Sequence, residues 1–289
     1  MRGEVAPVVI KAPSFTIEGI SRAGNETWFR LRELGLAFDI GRCPDLLIGT
    51  PHVFVTHAHL DHALGIPFYF SQRNLQGLST GTVYVPAASE KGFEALMSAH
   101  RELEAMRHGY VITGLAPGDV VELRRGLHVR AHAATHRIPS NAWEVIEVRR
   151  KLRPEFSGLE GRAIAELRET TEVTERREES VVFYTGDTDR GILEVNRELF
   201  LSRVLMIECS FTAPEDRVRA REYTHMHLED LYDFSDRFEN EMIVLTHFSL
   251  RDSPADIHRR ISSSCPERLR ERLRLALPEP FVRIGGRPV

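Results

Sequence analysis

Four candidate metal ligands fall within six consecutive residues, His57-Ala58-His59-Leu60-Asp61-His62. No other stretch of the chain limits its fold so tightly. The apolar run Val53-Phe54-Val55 precedes the cluster, and a helical pattern opens at Ala63. The cluster therefore belongs on a strand-to-helix loop. Such a loop can fold His57 and His59 onto one ion while Asp61 and His62 turn to a second. Neutral imidazole with carboxylate suits zinc, and also manganese or iron. A chance run of histidines has no reason to sit in that strand–loop–helix setting.

Three further residues stand at strand ends. His136 follows Leu127–Ala134, and His247 follows Ile243-Val244-Leu245. Asp187 follows Val181-Val182-Phe183-Tyr184, where Gly186 permits a tight turn that presents the carboxylate. One histidine at a strand end is usually structural. Three such residues in company with the first cluster point to one shared site.

The pattern of short apolar runs and helical segments predicts a mixed α/β architecture. Strands are expected at Thr27–Leu31, Gly35–Asp39, Val53–Thr56, Thr82–Val85, Val120–Leu123, Leu127–Ala134, Ala142–Val148, Val181–Thr185, Val204–Glu208 and Met242–Thr246. Helices are expected at Ala63–Arg73, Ala88–Met106, Leu228–Phe238 and Pro254–Ser262. Between Arg149 and Glu179 the chain turns charged and poor in aromatics. This segment reads as a partly helical insertion projecting from one domain that spans residues 1–289. Its surface pairs are either a solvated face or a substrate-handling arm.

Composition narrows the class. Of 289 residues, 42 % are hydrophobic and 28 % charged, which suits a globular chain. The three cysteines, Cys43, Cys209 and Cys265, are far apart and outside CxxC spacing, so neither a disulfide framework nor a cysteine zinc finger is expected. No stretch approaches the roughly 20 apolar residues that span a bilayer, and Met1 to Phe15 holds no secretory h-region. A cytoplasmic location follows as the expectation. Net charge is −4, so any nucleic-acid site must be local, built from a subset of arginines rather than a basic coat.

The HxHxDH motif, then His136, Asp187 and His247 in that order, resembles the dinuclear site of the metallo-β-lactamase superfamily. Ala37-Phe38-Asp39-Ile40-Gly41 resembles its first acidic position, where Asp39 supports the ligand loop without binding metal. The ribonuclease Z (tRNA 3′-endonuclease) branch is more similar still, through Ile207-Glu208-Cys209-Ser210-Phe211, His227-Leu228-Glu229-Asp230-Leu231 and Leu245-Thr246-His247-Phe248-Ser249-Leu250-Arg251. Short plant forms look most similar, through Phe38-Asp39-Ile40-Gly41-Arg42-Cys43-Pro44 and Val85-Pro86-Ala87. The branch's usual Thr after the His227 motif is absent. Ser210 stands where many members carry Thr, and the Arg149–Glu179 insertion occupies the place of the long Gly-Pro-rich arm.

The resemblance implies a four-layer αββα sandwich and two divalent ions, zinc first. It places His57, His59 and His136 on one ion, Asp61, His62 and His247 on the other, and Asp187 between them. Asp61 would also accept a proton from the attacking water. His227, held protonated by Glu208, would act as general acid, with Ser140 and Arg251 as candidates for phosphate contact. The implied substrate is precursor tRNA carrying a 3′ trailer, and the implied assembly a homodimer with no membrane association. A small-molecule phosphodiesterase or other ester hydrolase on the same fold is the alternative. A non-enzymatic scaffold has no use for a complete ligand set.

Overall fold

The computed structural model describes residues 6–105, 109–168 and 170–284. Met106, at the end of one expected helix, His108, and Glu169 of the expected insertion lie outside the described residues.

Two seven-stranded sheets are built alike. The first comprises β1 (Val8–Lys11), β2 (Thr16–Arg22), β3 (Glu26–Leu31), β4 (Leu36–Phe38), β5 (His52–Phe54), β6 (Thr82–Pro86) and β7 (Ile112–Leu115), in that order. The second comprises β8 (Val120–Arg124), β9 (Leu127–Ala133), β10 (Asn141–Leu152), β11 (Thr174–Tyr184), β12 (Val204–Glu208), β13 (Met242–Thr246) and β14 (Leu273–Leu275), likewise in order across the sheet. In each sheet the first four strands pair antiparallel and the rest parallel.

The strands are apolar on both faces because both faces are covered. Along β12, Val204 and Met206 join the core between the sheets, while Leu205 and Ile207 face helices. In the core between the sheets, Tyr184 stacks on Phe38 at 4.9 Å and Phe54 meets Trp143 edge-on at 5.2 Å. A second core joins Val53, Val55, Val83 and Val85 to Ile66, Phe70, Phe93 and Met97 of the helices Ile66–Leu75 and Glu90–Leu103. A third joins Phe183, Leu205 and Leu245 to Leu228, Leu231, Ile257 and Ile261 of the helices Leu228–Tyr232 and Pro254–Ser264. Three cores separate four layers, which is the expected αββα sandwich.

The structure departs from expectation in four places, one being the expected helix Leu228–Phe238, which ends at Tyr232 with a separate short turn at Ser235–Arg237. β1, β2, β7 and β14 have no counterpart among the expected strands. In β2 the buried positions are Ile17, Gly19 and Ser21, so the alternation is carried partly by residues that do not register as apolar. Gly19 is required there, since a Cβ would stand 2.3 Å from the Trp28 carbonyl oxygen. The expected helix Ala63–Arg73 is two pieces, Leu60–Ala63 and Ile66–Leu75. The break is at Gly65, where a Cβ would meet Cys43 N at 2.5 Å.

The expected insertion is partly helical, but its two ends are strand. β10 and β11 run on as an antiparallel ribbon to the pair Leu152↔Thr174, and the helix Gly161–Leu167 lies in its connection. Burial along β10 fades from complete at Trp143 to exposed at Arg149, as the ribbon leaves the core. Arg149 opposes Arg177 and Arg150 opposes Arg176, pairings that repel. Glutamates beside them along the strands, Glu147, Glu178 and Glu175, take up the charge.

Gly19→Ala is expected to destabilise the fold by about 1–3 kcal/mol through overpacking. Urea unfolding measures this; an unchanged midpoint would show that β3 gives way without cost.

Candidate metal centre

Parallel strands that end on one sheet edge bring their following loops together. Asp39, just after β4, is fully buried at φ 53°. Its Oδ1 accepts the Thr56 backbone N–H at 2.7 Å and the Thr56 hydroxyl at 2.9 Å. Its Oδ2 accepts His62 Nδ1–H at 2.8 Å and the Tyr184 hydroxyl at 2.7 Å. One carboxylate thus pins the start and end of the loop from Thr56 to His62 and ties it to the second sheet.

These bonds also decide which ring nitrogens are bare. His62 donates from Nδ1 and so presents Nε2. Thr56 Oγ1, already donating to Asp39, accepts His57 Nδ1–H at 2.9 Å, which leaves His57 Nε2 bare. His136 Nδ1 donates to the Thr224 carbonyl at 3.1 Å, and His247 Nδ1 lies 3.0 Å from Ser210 Oγ.

The bare atoms converge in two groups. His57 Nε2 stands 2.9 Å from His59 Nδ1, which is 3.4 Å from His136 Nε2. His62 Nε2 and His247 Nε2 are 3.3 Å apart, and each is 3.6 Å from Asp61 Oδ2. Asp187 lies between the groups. Its Oδ2 is 3.6 Å from His57 Nε2, and its Oδ1 is 3.3 Å from both His62 Nε2 and His247 Nε2. Gly186 makes this presentation possible at φ 59°, with no room for a Cβ, which would meet Thr56 at 2.6 Å.

The donor set fits divalent cations. Unprotonated imidazole nitrogens this close repel one another unless a cation sits among them, and Asp187 Oδ1 is buried without a hydrogen-bond partner. Burial, reinforced by the neighbouring His62, holds His57 well below the usual imidazole range, in the form that binds metal. Burial would raise the Asp187 carboxyl, but His247, His62 and His57 hold it well below the usual range.

Beside these groups stands a carboxylate–imidazole pair. Glu208, at the end of β12, is fully buried, and its Oε1 accepts His225 Nδ1–H at 2.7 Å. Burial opposes charge on His225, but the Glu208 carboxylate outweighs it and raises the imidazole to about 9.

His225 corrects one assignment from sequence. His227, expected to partner Glu208, is 0 % exposed and caps the helix Leu228–Tyr232. Its Nδ1 accepts the Glu229 N–H at 3.2 Å and its Nε2 donates to the Ala213 carbonyl at 3.0 Å, so both nitrogens are occupied. The overlooked signal is the acidic pair Glu229-Asp230, which marks position 227 as an N-cap. The two candidates for phosphate contact have partners within the chain. The Ser140 hydroxyl donates to the Ile138 carbonyl at 2.9 Å, and the Arg251 side chain is 57 % exposed with Asp216 at 3.9 Å.

A family model described as Beta-lactamase superfamily domain matches residues 44–248, which hold every residue of the two groups and the Glu208–His225 pair. The chain is 34 % identical over 256 residues to tRNase Z TRZ1 of Arabidopsis thaliana, covering 87 % of this chain and 91 % of that protein. It belongs to the ribonuclease Z family.

Another relative in that family, tRNase Z TRZ2, chloroplastic, of the same plant, is 32 % identical over 84 % of this chain and 70 % of that protein. The short form of human tRNase Z superposes with a TM-score of 0.54 at 20 % identity, covering 86 % of this chain and 90 % of that one, a likeness of fold. As a ribonuclease Z with the metallo-β-lactamase fold, the chain is a metal-dependent hydrolase that binds divalent metal. Among the described residues no helix is long and apolar enough to cross a membrane.

Asp39→Asn sets an amide N–H against donors and breaks this support. The variant is expected to bind zinc about 10–100-fold more weakly, as for other outer supports of metal ligands. Chelator competition reads the loss, and unchanged affinity would show the loop to be held by its backbone alone.

Proposed function

We propose that this chain removes 3′ trailers from precursor tRNA, using two divalent ions held by His57, His59 and His136 on one side, Asp61, His62 and His247 on the other, and Asp187 between them. Zinc is the first choice of metal. The observation that carries the reading is the Glu208–His225 pair beside Asp187. An ester whose leaving group is a sugar alkoxide needs a proton donor, and a small activated ester does not. The names of the plant relatives support tRNA as substrate.

Bound ions would lower the pKa of a water towards neutrality and offset charge on the phosphate oxygens. Asp61 is the acceptor for the water's proton. Burial would raise its carboxyl, but the nearby His247 and His62 hold it below the usual range, so it is ionised. His225 keeps Nδ1 on Glu208 and delivers its proton from Nε2 to the leaving oxygen. At neutral pH it is charged, as an acid must be.

Homodimer assembly and a cytoplasmic location belong to the same proposal. The first is supported by exposed apolar residues that begin within the ligand loop and continue past it, Leu60, Leu64 and Phe68, with exposures of 70 %, 52 % and 46 %. The chain is read as one domain because the core between the sheets draws on both halves.

The test is trailer-bearing precursor tRNA beside bis-nitrophenyl phosphate, each with purified, metal-loaded protein. Both are expected to be cleaved. Cleavage of the nitrophenyl ester alone would favour the small-molecule phosphodiesterase instead. His225→Gln is expected to slow tRNA cleavage by about 10²–10⁴-fold and the nitrophenyl ester far less. His227→Gln should instead lower the unfolding midpoint by removing a cap. Equal losses on both substrates for His225→Gln would count against its role as acid.

A further inference from the structure

Ser210 lies between the candidate metal ligands and the acid pair, and hydrogen-bond direction there follows from the Glu208 carboxylate. Glu208 is surrounded by donors. Oε1 takes the Thr188 N–H at 2.7 Å and His225 Nδ1–H at 2.7 Å. Oε2 takes the Ser210 N–H and the Met226 N–H, both at 3.2 Å, and Ser210 Oγ at 2.6 Å. A carboxylate held in this way only accepts, so the Ser210 hydroxyl donates to it. Its lone pairs are then left for His247 Nδ1–H at 3.0 Å. The contact with His225 Nδ1, at 3.4 Å, is the longer of that atom's two, and Glu208 keeps the proton.

Ser210 is 3 % exposed, and Ser249 N–H bonds its carbonyl at 2.9 Å, so the hydroxyl is fixed from the backbone outward. Among the described residues His247 Nδ1 has no other hydrogen-bond partner. Without the Ser210 acceptor, nothing would oblige the His247 proton to stay on Nδ1 and leave Nε2 bare. His247 is also one of the few non-glycine residues at positive φ, 59°, so its backbone offers no easy second placement for the ring.

We propose that Ser210 is a positioning residue: one hydroxyl sets the tautomer of His247 towards the metal and supports Glu208 behind the acid His225, so that the two halves of the centre are held in register by a single side chain. The inference rests on the roles given above to His247 and His225. It extends them to a residue that touches neither metal nor substrate.

The test uses the whole metal-loaded protein. Zinc affinity is measured by chelator competition for wild type, Ser210→Ala and Ser210→Thr, with circular dichroism as a check of folding. Ser210→Ala is expected to bind zinc about 10–100-fold more weakly, and Ser210→Thr, which keeps the hydroxyl, to stay near wild type. At saturating zinc, Ser210→Ala should still lose more on precursor RNA than on bis-nitrophenyl phosphate, because Glu208 has lost a donor. Unchanged zinc affinity in Ser210→Ala overturns the proposal. So does an equal loss in Ser210→Thr, which would make side-chain volume the cause. Should Ser210→Ala fail to fold, Ser210→Cys takes its place. Its weak thiol acceptor predicts the same direction of change, and unchanged affinity there overturns the proposal equally. Failure of the wild type to cleave RNA would sink the tRNA reading alone, since zinc titration decides the role of Ser210 with no substrate present.

Discussion

The Asp39 carboxylate is the constraint on which the rest of the molecule depends. It is an ionisable group with no exposure to solvent and, among the described residues, no arginine or lysine partner, an arrangement that costs several kcal/mol unless donors replace the lost water. Four donors do so, from Thr56 twice, His62 and Tyr184. They come from both sheets, so the carboxylate is satisfied only when the sandwich is closed. Folding and assembly of the centre are therefore one event. Separating the sheets removes the Tyr184 hydroxyl from the carboxylate, and moving the loop from Thr56 to His62 removes the other three donors. The left-handed backbone at Asp39 is a further expense, tolerable because the surrounding bonds overdetermine it.

This architecture explains why the centre could be read from sequence. Most of the candidate ligands follow strands with a parallel neighbour, and such strands are near-continuous apolar runs that end abruptly at the loop carrying the candidate ligands; His136, after the antiparallel β9, is the exception. β5, β12 and β13 are of that kind, and Glu208 and His247 fall at their ends. Antiparallel regions were less legible. β2 hides its inward face in Gly19 and Ser21, and the ribbon of β10 and β11 mixes arginine with glutamate, which from composition alone reads as a solvated helix. The backbone ladder holds the ribbon, and ladders leave little mark on side-chain pattern where both faces are wet.

His225 and His227 show a different limit. Both histidines are two-residue neighbours in Thr224-His225-Met226-His227, and alternation on an extended segment sends both side chains to the same side. What separates them is the helix that starts at Leu228. Its first free N–H groups need an acceptor, and His227 supplies one. A residue that must answer a helix end cannot also face a substrate. The capping requirement, a backbone property, thus selects His225 as the partner of Glu208, and Thr224 takes a left-handed φ of 57° just before it.

The same side-chain type is pushed in opposite directions across one centre. His57 is buried among other imidazoles and is driven to the neutral form, while His225 is driven to the charged form by a carboxylate. The candidate ligand His62 is raised too, by Asp187 and Asp39 against its burial, so the direction follows each ring's neighbours; in the proposed reaction a bound cation would displace the proton of His62 while His225 keeps its own. Net charge enters here as well. An overall −4 means that any grip on a polyanion is local, and the proposed centre adds a few groups aimed by fixed hydrogen bonds. Asp39 and Ser210 do that aiming from opposite sides: one sets His62 and the loop, the other His247 and the acid pair, and Asp187 stands between the two imidazoles they orient.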